Sequence, residues 1–474
     1  MASPGSRKLD AVVVGAGPNG LAAAITLAQA GRSVRVIEGQ ETIGGGTRTA
    51  ELTLRGFRHD VCSAIHPLFV ASPFFRSLRL ELDLIEPPAV VAHPLDDGTA
   101  VLARRSLEDT ARQLGTDGDA YRRLLEPLVT GWDELEGELL KPIAHVPRHP
   151  LPLTRFGLAA LSSAKRLAET RFETQAARAL FAGAAAHSLL PLEQTASAPF
   201  GLVLLTLAHV SGWPFPRGGS QAIADALATR LRSLGGEIET GTHVASLREL
   251  PSSKLVLCDV TPSQLVSLAG DLLPSRYRRR LQRWRYGPGA FKLDYALDGP
   301  IPWRAPEIAD AGTVHLGGTL DEIAESERAP WEGRHAERPF VLLAQQSLFD
   351  ETRAPSGKHT AWAYCHVANG STFDMRERVE AQIERFAPGF RDRILACASR
   401  NTDDLERENP NLVGGDISGG ANTLGQLIAR PVLRRVPYST PLTWLYLCSA
   451  ATPPGAGVHG MCGHLAACAA LRRA

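Results

Sequence analysis

The chain opens with a glycine-rich turn between a short apolar strand and an alanine-rich helix, and few folds accommodate that pattern. Residues 9–14 (LDAVVV) are short and β-branched, which predicts a buried strand, and PNGLAAAITLAQAG predicts a helix that ends at Gly31. In such a turn Gly15 makes the tight bend, Gly17 lets the backbone approach a pyrophosphate, and Gly20 lets helix and strand pack closely. The pattern predicts a doubly wound α/β dinucleotide-binding fold.

The start of the helix and the end of the next strand add two binding features. The helix starts at Pro18 and Asn19, where free N–H groups and a partial positive charge favour phosphate. SVRVIE predicts a second strand, and Glu38 at its end follows Gly20 by 18 residues, where a carboxylate hydrogen-bonds ribose hydroxyls. The same charge disfavours the 2′-phosphate of NADP. A Rossmann-like domain without a ligand is the alternative.

A second glycine-rich strip, GGGTRT, begins six residues after Glu38. A plain NAD dehydrogenase does not need such a strip, whereas the second half of a longer cofactor would lie along exposed backbone here. We expect Gly45, Gly46 and Thr47 to contact that cofactor. Arg48 is expected to pair with its pyrophosphate. A glycine-rich turn without a ligand is the alternative interpretation.

Charge and cysteine content exclude several classes of protein. A net charge of +1 argues against nucleic-acid binding, which needs a basic surface. The seven cysteines form no CxxC, which excludes a zinc ribbon and a thioredoxin-like dithiol, and no metal site is predicted. The odd cysteine count and the polar N-terminus MASPGSRKLD favour a cytoplasmic protein without a signal peptide. The longest uncharged apolar run, APFGLVLLTLAHV, has 13 residues and predicts a buried helix, because a membrane span needs about 20.

The rest of the chain alternates between helical and α/β patterns. Residues 72–211 are rich in leucine, alanine and proline and predict a largely helical insertion. A helix and a strand over 237–247 then return to the α/β pattern, followed by KLVLCDV as a further buried strand. GAFKLDYAL and RPFVLLAQQSLF predict strands of a second sheet, and DMRERVEAQIERFAPGF an amphipathic helix. TWLYLCSA and VHGMCGHLAACAAL predict a final strand and helix.

A second GxGxxG stands near the C-terminus, formed by Gly455, Gly457 and Gly460. Only 14 residues follow it, so no further strand and no ribose-binding acid can complete a second dinucleotide-binding unit. A tightly bound NAD(P) is therefore not predicted, and this second glycine motif needs another explanation.

Four stretches of the chain resemble the phytoene desaturase-like FAD-dependent oxidoreductases. These stretches are DAVVVGAGPNGLAAAITLAQAG, VIEGQETIGGGTRT, GFRHDVCSAIHPL and SAATPPGAGVHGMCG. The family belongs to the superfamily of carotenoid desaturases and isomerases and flavin amine oxidases. Within it the chain is similar to the pyridine nucleotide-disulphide oxidoreductase domain 2 type, although the sequence has no redox-active cysteine pair.

The resemblance implies a discontinuous, glutathione-reductase-type Rossmann-like FAD domain plus an α+β substrate domain with the helical insertion. The implied FAD domain combines residues 1–75, 213–285 and 410–474, and the substrate domain combines residues 76–212 and 286–409. In this arrangement the backbone of Val244 would pair with the adenine. The terminal glycine motif would wrap the flavin ring, where a helix N-terminus stabilises negative charge on the reduced ring. The contacts implied there are with Ala451, Gly457, Val458 and His459.

Two side chains are candidates for proton chemistry at the flavin. Lys292 is placed similarly to the lysine that meets flavin N5 through a water in flavin amine oxidases, and burial would lower its pKa. A lysine that extends to the sheet edge is the alternative. His66 could act as a base or position the substrate, and a structural histidine is the alternative. Asp416 either contacts the flavin or caps a turn.

The predicted function is FAD-dependent desaturation or isomerisation of an apolar, unsaturated small molecule by hydride transfer to flavin N5. A flavin amine oxidase is the first alternative, for which Tyr438 and Trp444 are candidates for the required aromatic cage. A flavin-bound interaction protein without turnover is the second. Residues 153–172 carry an apolar stripe (Phe156, Leu161, Ala164, Leu167, Ala168) that either contacts a membrane surface or faces the core. Oligomeric state and electron acceptor (oxygen, a quinone or another) stay open.

Overall fold

The computed structural model describes residues 9–473, so most of the polar N-terminal stretch on which the signal-peptide expectation rests lies outside the described residues. The strands in this range are β1 (Leu9–Val14), β2 (Val34–Ile37), β3 (Thr49–Glu51), β4 (Arg58–Asp60), β5 (Leu84–Ile85), β6 (Ala89–Pro94), β7 (Ala100–Ala103), β8 (Phe215–Pro216), β9 (Glu237–Glu239), β10 (Ser253–Cys258), β11 (Gly289–Leu297), β12 (Ala311–Leu316), β13 (Val341–Ala344), β14 (His359–Val367), β15 (Ile394–Arg400) and β16 (Leu445–Leu447).

The α-helices in the same range are α1 (Pro18–Gln29), α2 (Pro67–Ala71), α3 (Pro73–Leu78), α4 (Leu107–Gln113), α5 (Gly118–Thr130), α6 (Trp132–Leu139), α7 (Pro150–Ala160), α8 (Ala164–Arg171), α9 (Gln175–Ala186), α10 (Ala198–Val210), α11 (Gln221–Ser233), α12 (Pro262–Ala269), α13 (Ser275–Leu281), α14 (Leu320–Arg328), α15 (Arg376–Phe386), α16 (Thr402–Glu408), α17 (Leu424–Ile428) and α18 (Met461–Leu471).

A five-stranded parallel sheet in the order β16-β10-β1-β2-β9 forms the nucleotide-binding part. Its strands come from three separate segments of the chain. Val14 pairs with both Ile37 and Cys258, and Cys258 pairs in turn with Leu447, so the strands end side by side at one edge. The buried aliphatic run that predicts β1 is explained by helices covering both faces of this sheet. This confirms the α/β fold class.

Helices α1, α11 and α18 cover one face of this sheet and share its core. Ile223, Leu227 and Leu231 of α11 are fully buried there, on the helical face that the sequence predicts. The terminal helix α18 lies directly against α1, since both helices present small residues to each other. The terminal segment thus returns to the first strand and helix of the chain.

A seven-stranded sheet in the order β15-β11-β14-β13-β12-β6-β7 forms the second part. All neighbouring strands run antiparallel except β12 and β6, which are parallel. Every residue of β11, β12 and β13 is buried, so both faces of the sheet are covered. Helices α5 to α10 pack together in one core with residues of β6 and β7.

Two predictions of local structure need correction: one is incomplete and one is wrong. Residues 72–211 are largely helical, as predicted, but β6 and β7 also form a hairpin within them that joins the second sheet. Strand character over 237–247 ends at Glu239, and the following residues form a loop along the nucleotide groove. In the first case the side chains of β6 are buried on both faces, so no alternation marks the strand.

The remaining predicted elements are confirmed. The 13-residue apolar run is helix α10, DMRERVEAQIERFAPGF contains α15, and the last predicted strand and helix are β16 and α18. In the stripe over 153–172 the side chains of Phe156, Ala164, Leu167 and Ala168 are buried, which confirms the core-facing interpretation for them, whereas Leu161 is exposed. Among the helices described between residues 9 and 473, none has the length and hydropathy to cross a membrane.

Candidate functional site

A groove of about 490 Å³ runs along the carboxyl ends of the parallel strands. Ligands bind at this edge of an open α/β sheet because the turns that follow neighbouring strands meet there. Six of the residues predicted to bind the cofactor line this groove: Gly15, Gly17, Glu38, Gly45, Arg48 and Val244. Pro18, Asn19, Gly20, Gly46, Thr47 and Ala451 lie in the adjoining turns and helix starts without lining either cavity described here.

The glycines of the first turn are required by close backbone approaches. Gly15 has a φ of +98°, which favours glycine, and a β-carbon at Gly20 would lie 2.0 Å from the carbonyl oxygen of Gly15. The backbone N–H of Ala16 donates to Glu38 Oε2 at 2.7 Å, so Glu38 also fixes the turn. This acidic side chain therefore lies beside the turn, where it can reach a ribose.

Asp259 is a groove residue that the sequence analysis missed. It follows β10 directly, and its Oδ2 accepts the backbone N–H of Gly20 at 2.9 Å, at the N-terminus of α1. Burial, with a smaller contribution from Glu38, raises the pKa of Asp259 to about 7. Its charge at the phosphate-binding end of the helix consequently changes near neutral pH. The available signal was a carboxylate near the end of the predicted strand KLVLCDV.

The glycine strip connects the groove to a second cavity. A β-carbon at Gly45 would lie 3.2 Å from Gly17 Cα, and one at Gly46 would lie 3.9 Å from the thiol of Cys62, which lines that cavity. Arg48 donates from Nε to the carbonyl oxygen of Gly45 at 3.0 Å and from Nη2 to that of Glu408 at 3.1 Å. A cofactor longer than the groove would therefore pass these glycines and enter the second cavity.

The second cavity has a volume of about 710 Å³ and is mainly apolar. It is lined by both parts of the chain, and it contains the predicted residues His66, Lys292, Gly457, Val458 and His459. One wall is the face of the second sheet formed by Lys292, Tyr364, Leu342, Trp362 and Thr313. The structure therefore brings together predicted residues from three distant positions in the sequence.

Lys292 lies in this wall with only 3% of its surface exposed, so it does not extend to the sheet edge. It donates to both carboxylate oxygens of Asp294, which has the same side-chain direction two residues along β11. Asp294 also accepts a hydrogen bond from Arg400 Nη2 at 2.5 Å. Burial lowers the pKa of Lys292 to about 8, against the opposing effect of Asp294.

The ion cluster around Lys292 also includes His59. His59 Nδ1 lies 3.7 Å from Asp294 Oδ1, and burial lowers the pKa of this imidazole to about 4. Arg400 donates in addition to Glu408 at 2.7 Å. Lys292 therefore has a charged environment. The other members of the cluster were not predicted from the sequence, because they come from three separate strands and the end of helix α16.

His66 is fully buried and hydrogen-bonded through Nε2 to Ser220 Oγ at 2.8 Å. Ser220 Oγ donates to the carbonyl oxygen of Ser63, so it accepts the Nε2 proton of a neutral His66. Nδ1 then carries a lone pair, and it has no hydrogen-bond partner within the described chain. Burial lowers the pKa of His66 to about 4. The ring can accept a hydrogen bond but is uncharged at neutral pH.

The terminal loop places Gly457, Val458 and His459 in the cavity wall, just before the N-terminus of α18. The His459 ring is internally satisfied: Nδ1 accepts the backbone N–H of Met461 at 3.0 Å, and Nε2 lies 3.2 Å from the carbonyl oxygen of Gly455. The backbone of His459 is engaged as well, because its N–H donates to the carbonyl oxygen of Gly457 at 3.1 Å and its carbonyl oxygen accepts from Ser72 Oγ at 2.6 Å. Asp416 caps a turn by accepting both hydrogens offered by Ser418.

Arg430 is a second residue that the sequence analysis missed. It is fully buried behind the terminal loop, and a β-carbon at Gly455 would lie 3.1 Å from its Nη1. It donates to Asn422 Oδ1 and the carbonyl oxygen of Ser418, with no ion pair among the described residues. Burial lowers its pKa. A buried cation without a carboxylate partner lies next to the loop that faces the cavity.

The prediction of an aromatic cage for an amine at Tyr438 and Trp444 is wrong. Neither Tyr438 nor Trp444 lines the cavity, because both pack in the core of the nucleotide-binding part. The aromatic pair beside Lys292 is instead Trp362 and Tyr364, whose rings meet edge to face at 5.0 Å. Lys292 Nζ lies 5.5 Å from the Trp362 ring.

Known proteins are similar to this chain in sequence and in fold. The NAD(P)-binding Rossmann-like domain family matches residues 13–78. The mouse pyridine nucleotide-disulfide oxidoreductase domain-containing protein 2 is 27% identical, over 97% of this chain and 92% of that protein. Phytoene dehydrogenase of Streptomyces griseus is 30% identical, over 85% of this chain and 79% of that protein.

Solved structures show the same fold at lower sequence identity. An oxidoreductase from Methanosarcina mazei superposes with a TM-score of 0.67 and 16% identity, over 98% of this chain and 100% of that one. Putrescine oxidase bound to putrescine superposes with a TM-score of 0.61 and 16% identity, over 98% and 99% of the two chains.

The dinucleotide groove, the adjoining cavity and the two-sheet architecture are those of a dinucleotide-binding oxidoreductase. The chain belongs to the phytoene desaturase-like oxidoreductase family, because its match to the Streptomyces griseus phytoene dehydrogenase extends over most of both chains.

Proposed function

We propose that this protein is an FAD-dependent oxidoreductase that dehydrogenates or isomerises an apolar, unsaturated small molecule. The observation that carries the proposal is that Gly45 lines the dinucleotide groove, while the next residue, Gly46, lies against Cys62 in the wall of a large apolar cavity. FMN lacks the adenosine half that the groove beyond Gly15 and Glu38 would bind, so the arrangement favours FAD.

FAD would extend from Val244 and Glu38 past the N-terminus of α1 and the glycine strip to the terminal loop. The adenosine half would use Glu38 for the ribose, and Arg48 lies beside the strip where the phosphates would pass. The flavin end would lie against Gly457 and Val458, where the α18 N-terminus favours negative charge. Once bound, the cofactor supplies the hydride acceptor, which no side chain of this chain provides.

Lys292 is the proposed proton acceptor of the reaction. Oxidation of a C–H bond by hydride loss releases a proton when a second bond to hydrogen breaks, and a neutral amine can accept it. With a pKa near 8, Lys292 is partly neutral at physiological pH. Asp294 holds the amine in place, and Arg400 in turn holds Asp294 by donating to its carboxylate.

His66 is the second residue proposed to contact the substrate. Its unpartnered Nδ1 lone pair accepts a hydrogen bond without a change in its own charge, whereas protonation would create a buried cation. His66 therefore fits a positioning role for substrate better than repeated protonation. The two groups would divide orientation and proton transfer between them.

The proposal is tested by anaerobic reduction of the bound flavin. Polyenes, unsaturated acyl compounds and amines are added to purified protein, and bleaching of the flavin absorbance is followed. We expect a long apolar substrate to bleach the flavin, and Lys292→Met to slow bleaching by about 10²–10⁴-fold. Lys254→Met is the matched control, since Lys254 also pairs with an aspartate on a strand but is exposed. Equal rates in both variants would contradict the role of Lys292. Oxygen and a quinone added afterwards identify the acceptor that reoxidises the flavin.

An amine oxidase is the second candidate function, and Trp362 and Tyr364 favour it. Their aromatic rings beside Lys292 could flank an amine at the flavin end of the cavity. An amine that bleaches the flavin faster than any hydrocarbon, together with loss of that preference in Trp362→Leu, would select this candidate.

We also propose that the cavity opens towards a membrane surface. Ile143, Leu161 and Leu424 both line the cavity and are exposed, so they mark its opening between α7 and α17. Exposed apolar side chains lie on the two helices that flank this opening: Leu151 and Leu158 on α7 and Ile428 on α17. Arg155 of α7 is also exposed and forms no ion pair within the described chain, which suits anionic lipids.

Vesicle sedimentation tests the membrane proposal. Vesicles that contain phosphatidylserine should bind the protein more strongly than vesicles of phosphatidylcholine alone. Leu158→Asp should weaken binding, because Leu158 is 75% exposed at the rim of the opening. Leu54→Asp is the control, as Leu54 is exposed in a turn outside the rim. Equal binding of the two variants would contradict the proposed surface.

A further inference from the structure

A histidine pair occupies the wall of the cavity at a distance from Lys292. His187 lines the cavity directly after helix α9, and its Nε2 lies 3.1 Å from Nε2 of His315. His315 is completely buried in β12, between the rings of Trp213 and Phe340. Neither histidine belongs to the proton chemistry proposed above. His187 lies in a wall that is otherwise mainly apolar, and His315 lies behind it.

The tautomers of the pair follow from the surroundings of His315. Its Nδ1 has no hydrogen-bond partner within the described residues and faces helix α9, where a β-carbon at Gly183 would lie 2.6 Å away. A buried N–H without an acceptor is costly, so the proton of His315 lies on Nε2 and is donated to His187. His187 Nε2 is then the acceptor, and the proton of His187 is on Nδ1.

His187 Nδ1 is therefore a hydrogen-bond donor with no partner in the described chain. Burial lowers the pKa of His187 to about 3 and that of His315 well below its ordinary value, so both rings stay neutral at physiological pH. A neutral donor in an apolar wall attracts an uncharged oxygen. A carboxylate would have to be buried there without a cation, which costs several kcal/mol.

The register of the second sheet gives the distance between this donor and Lys292. Lys292 pairs with Tyr364, Tyr364 with Leu342, and Leu342 with His315, so the four side chains form one row across the sheet. Three strand spacings of about 4.8 Å place His315 roughly 14 Å from Lys292. A fully extended chain advances about 3.5 Å over three bonds, so roughly twelve bonds span this distance.

We propose that His187 and His315 bind an uncharged oxygen of the substrate, as in a ketone, ester or alcohol, at the far end of the cavity from Lys292. This inference rests on the proposed function and narrows its substrate class from hydrocarbons to long apolar molecules with one oxygen-bearing end. His187 is the group that touches the oxygen, and His315 is a positioning residue that fixes its tautomer.

Binding measured without turnover tests the inference. Purified protein with its flavin is titrated with a long-chain methyl ketone and with the alkane of the same length, and quenching of the cavity residues Trp213 and Trp362 is followed. We expect the ketone to bind roughly tenfold more tightly, which is the contribution of one well-placed hydrogen bond. His187→Phe should bring ketone affinity to that of the alkane, and His187→Gln should retain the preference, because its amide can accept from His315 and donate to the ligand.

Thr313→Val is the matched control, since Thr313 lies in the same wall two residues from His315 and its hydroxyl also has no partner in the described chain. It should retain the preference. A wild-type protein that binds both probes equally or binds neither, a preference that survives His187→Phe, or one lost in Thr313→Val would overturn the inference. A protein that prefers the ketone but whose flavin no compound reduces would support the inference and contradict the proposed function.

Discussion

Gly463 of the terminal helix packs against the carbonyl oxygen of Asn19 at the start of α1, so closely that a β-carbon at 463 would lie 1.8 Å from that oxygen. Asn19 follows the first glycine turn and Gly463 follows the last one, so this contact joins the two ends of the chain at the cofactor site. It explains why the second GxGxxG stands near the C-terminus.

The first prediction concerns this contact. Gly463→Ala should lower the midpoint of thermal unfolding by a few degrees and weaken flavin retention, because the two helices must separate at a cost of about 1–3 kcal/mol. Gly137→Ala is the matched control: Gly137 lies inside helix α6 with nothing within 4 Å of an added β-carbon. That control should be neutral or slightly stabilising. Similar melting of both variants would contradict the packing argument.

The second prediction concerns Asp259. Its pKa of about 7 means that the carboxyl is mostly neutral at pH 6 and mostly charged at pH 8, where it repels a phosphate at the same helix N-terminus. FAD affinity of the apoprotein should therefore fall as pH rises from 6 to 8. Asp259→Asn keeps the acceptor for Gly20 and should abolish the dependence, with about tenfold tighter binding at pH 8.

Fluorescence titration of apoprotein with FAD measures this effect. Asp271→Asn removes an exposed carboxylate of the same part of the chain and should leave the pH dependence intact. A pH-independent affinity in the unmodified protein would show that Asp259 does not face the phosphates.

The third prediction is a pH profile for flavin reduction. The pKa of Lys292 is lowered from its ordinary range to about 8, and the neutral amine is the form that accepts a proton. The rate of reduction should rise with pH, with a midpoint near 8, and level off above it. His66 should contribute no ionisation between pH 6 and 9, since its pKa is about 4. Stopped-flow rates that fall through this range would contradict the assignment.

The fourth prediction concerns the buried charge of Arg430. Arg430→Met should lower the reduction potential of the bound flavin, because reduction adds negative charge near the terminal loop. A unit charge about 10 Å away at an effective dielectric of about 20 contributes roughly 1.7 kcal/mol, or about 35 mV for two electrons. Dye-equilibration titrations measure the potential.

Arg434→Met provides a close control for this substitution. Arg434 lies 5.6 Å from the Tyr277 ring, much as Arg430 lies 5.4 Å from the Trp284 ring. Arg434, however, is only half-buried and lies outside the cavity wall. Its substitution should leave the potential unchanged. An unchanged potential in Arg430→Met, with normal flavin absorbance, would contradict the electrostatic role.

The nucleotide-binding part could be predicted from the sequence because local patterns identify it. The strand before Gly15 and the carboxylate at Glu38 have fixed spacing, because a tight turn and a ribose impose it. The hairpin of β6 and β7 has no such pattern, since its strands are buried on both faces. The insertion was therefore predicted as largely helical, without this hairpin.

Only those residues of the candidate site that a single segment of the sequence identifies could be predicted. Lys292 could be singled out within one strand, but its contacts with Asp294 and Arg400 depend on the register between β11 and β15. Strand register between distant segments is not encoded in either segment alone. The pairing of His187 with His315 depends in the same way on a helix end meeting a strand 128 residues later.

Identification of the cofactor released from the purified protein tests the central claim most directly. We expect one FAD per chain when the cofactor is released by acid and resolved by chromatography. The apoprotein should regain the same amount of FAD on reconstitution. FMN in place of FAD, NAD alone, or no flavin after reconstitution would contradict the claim that the two ends and the middle of this chain together bind one flavin dinucleotide.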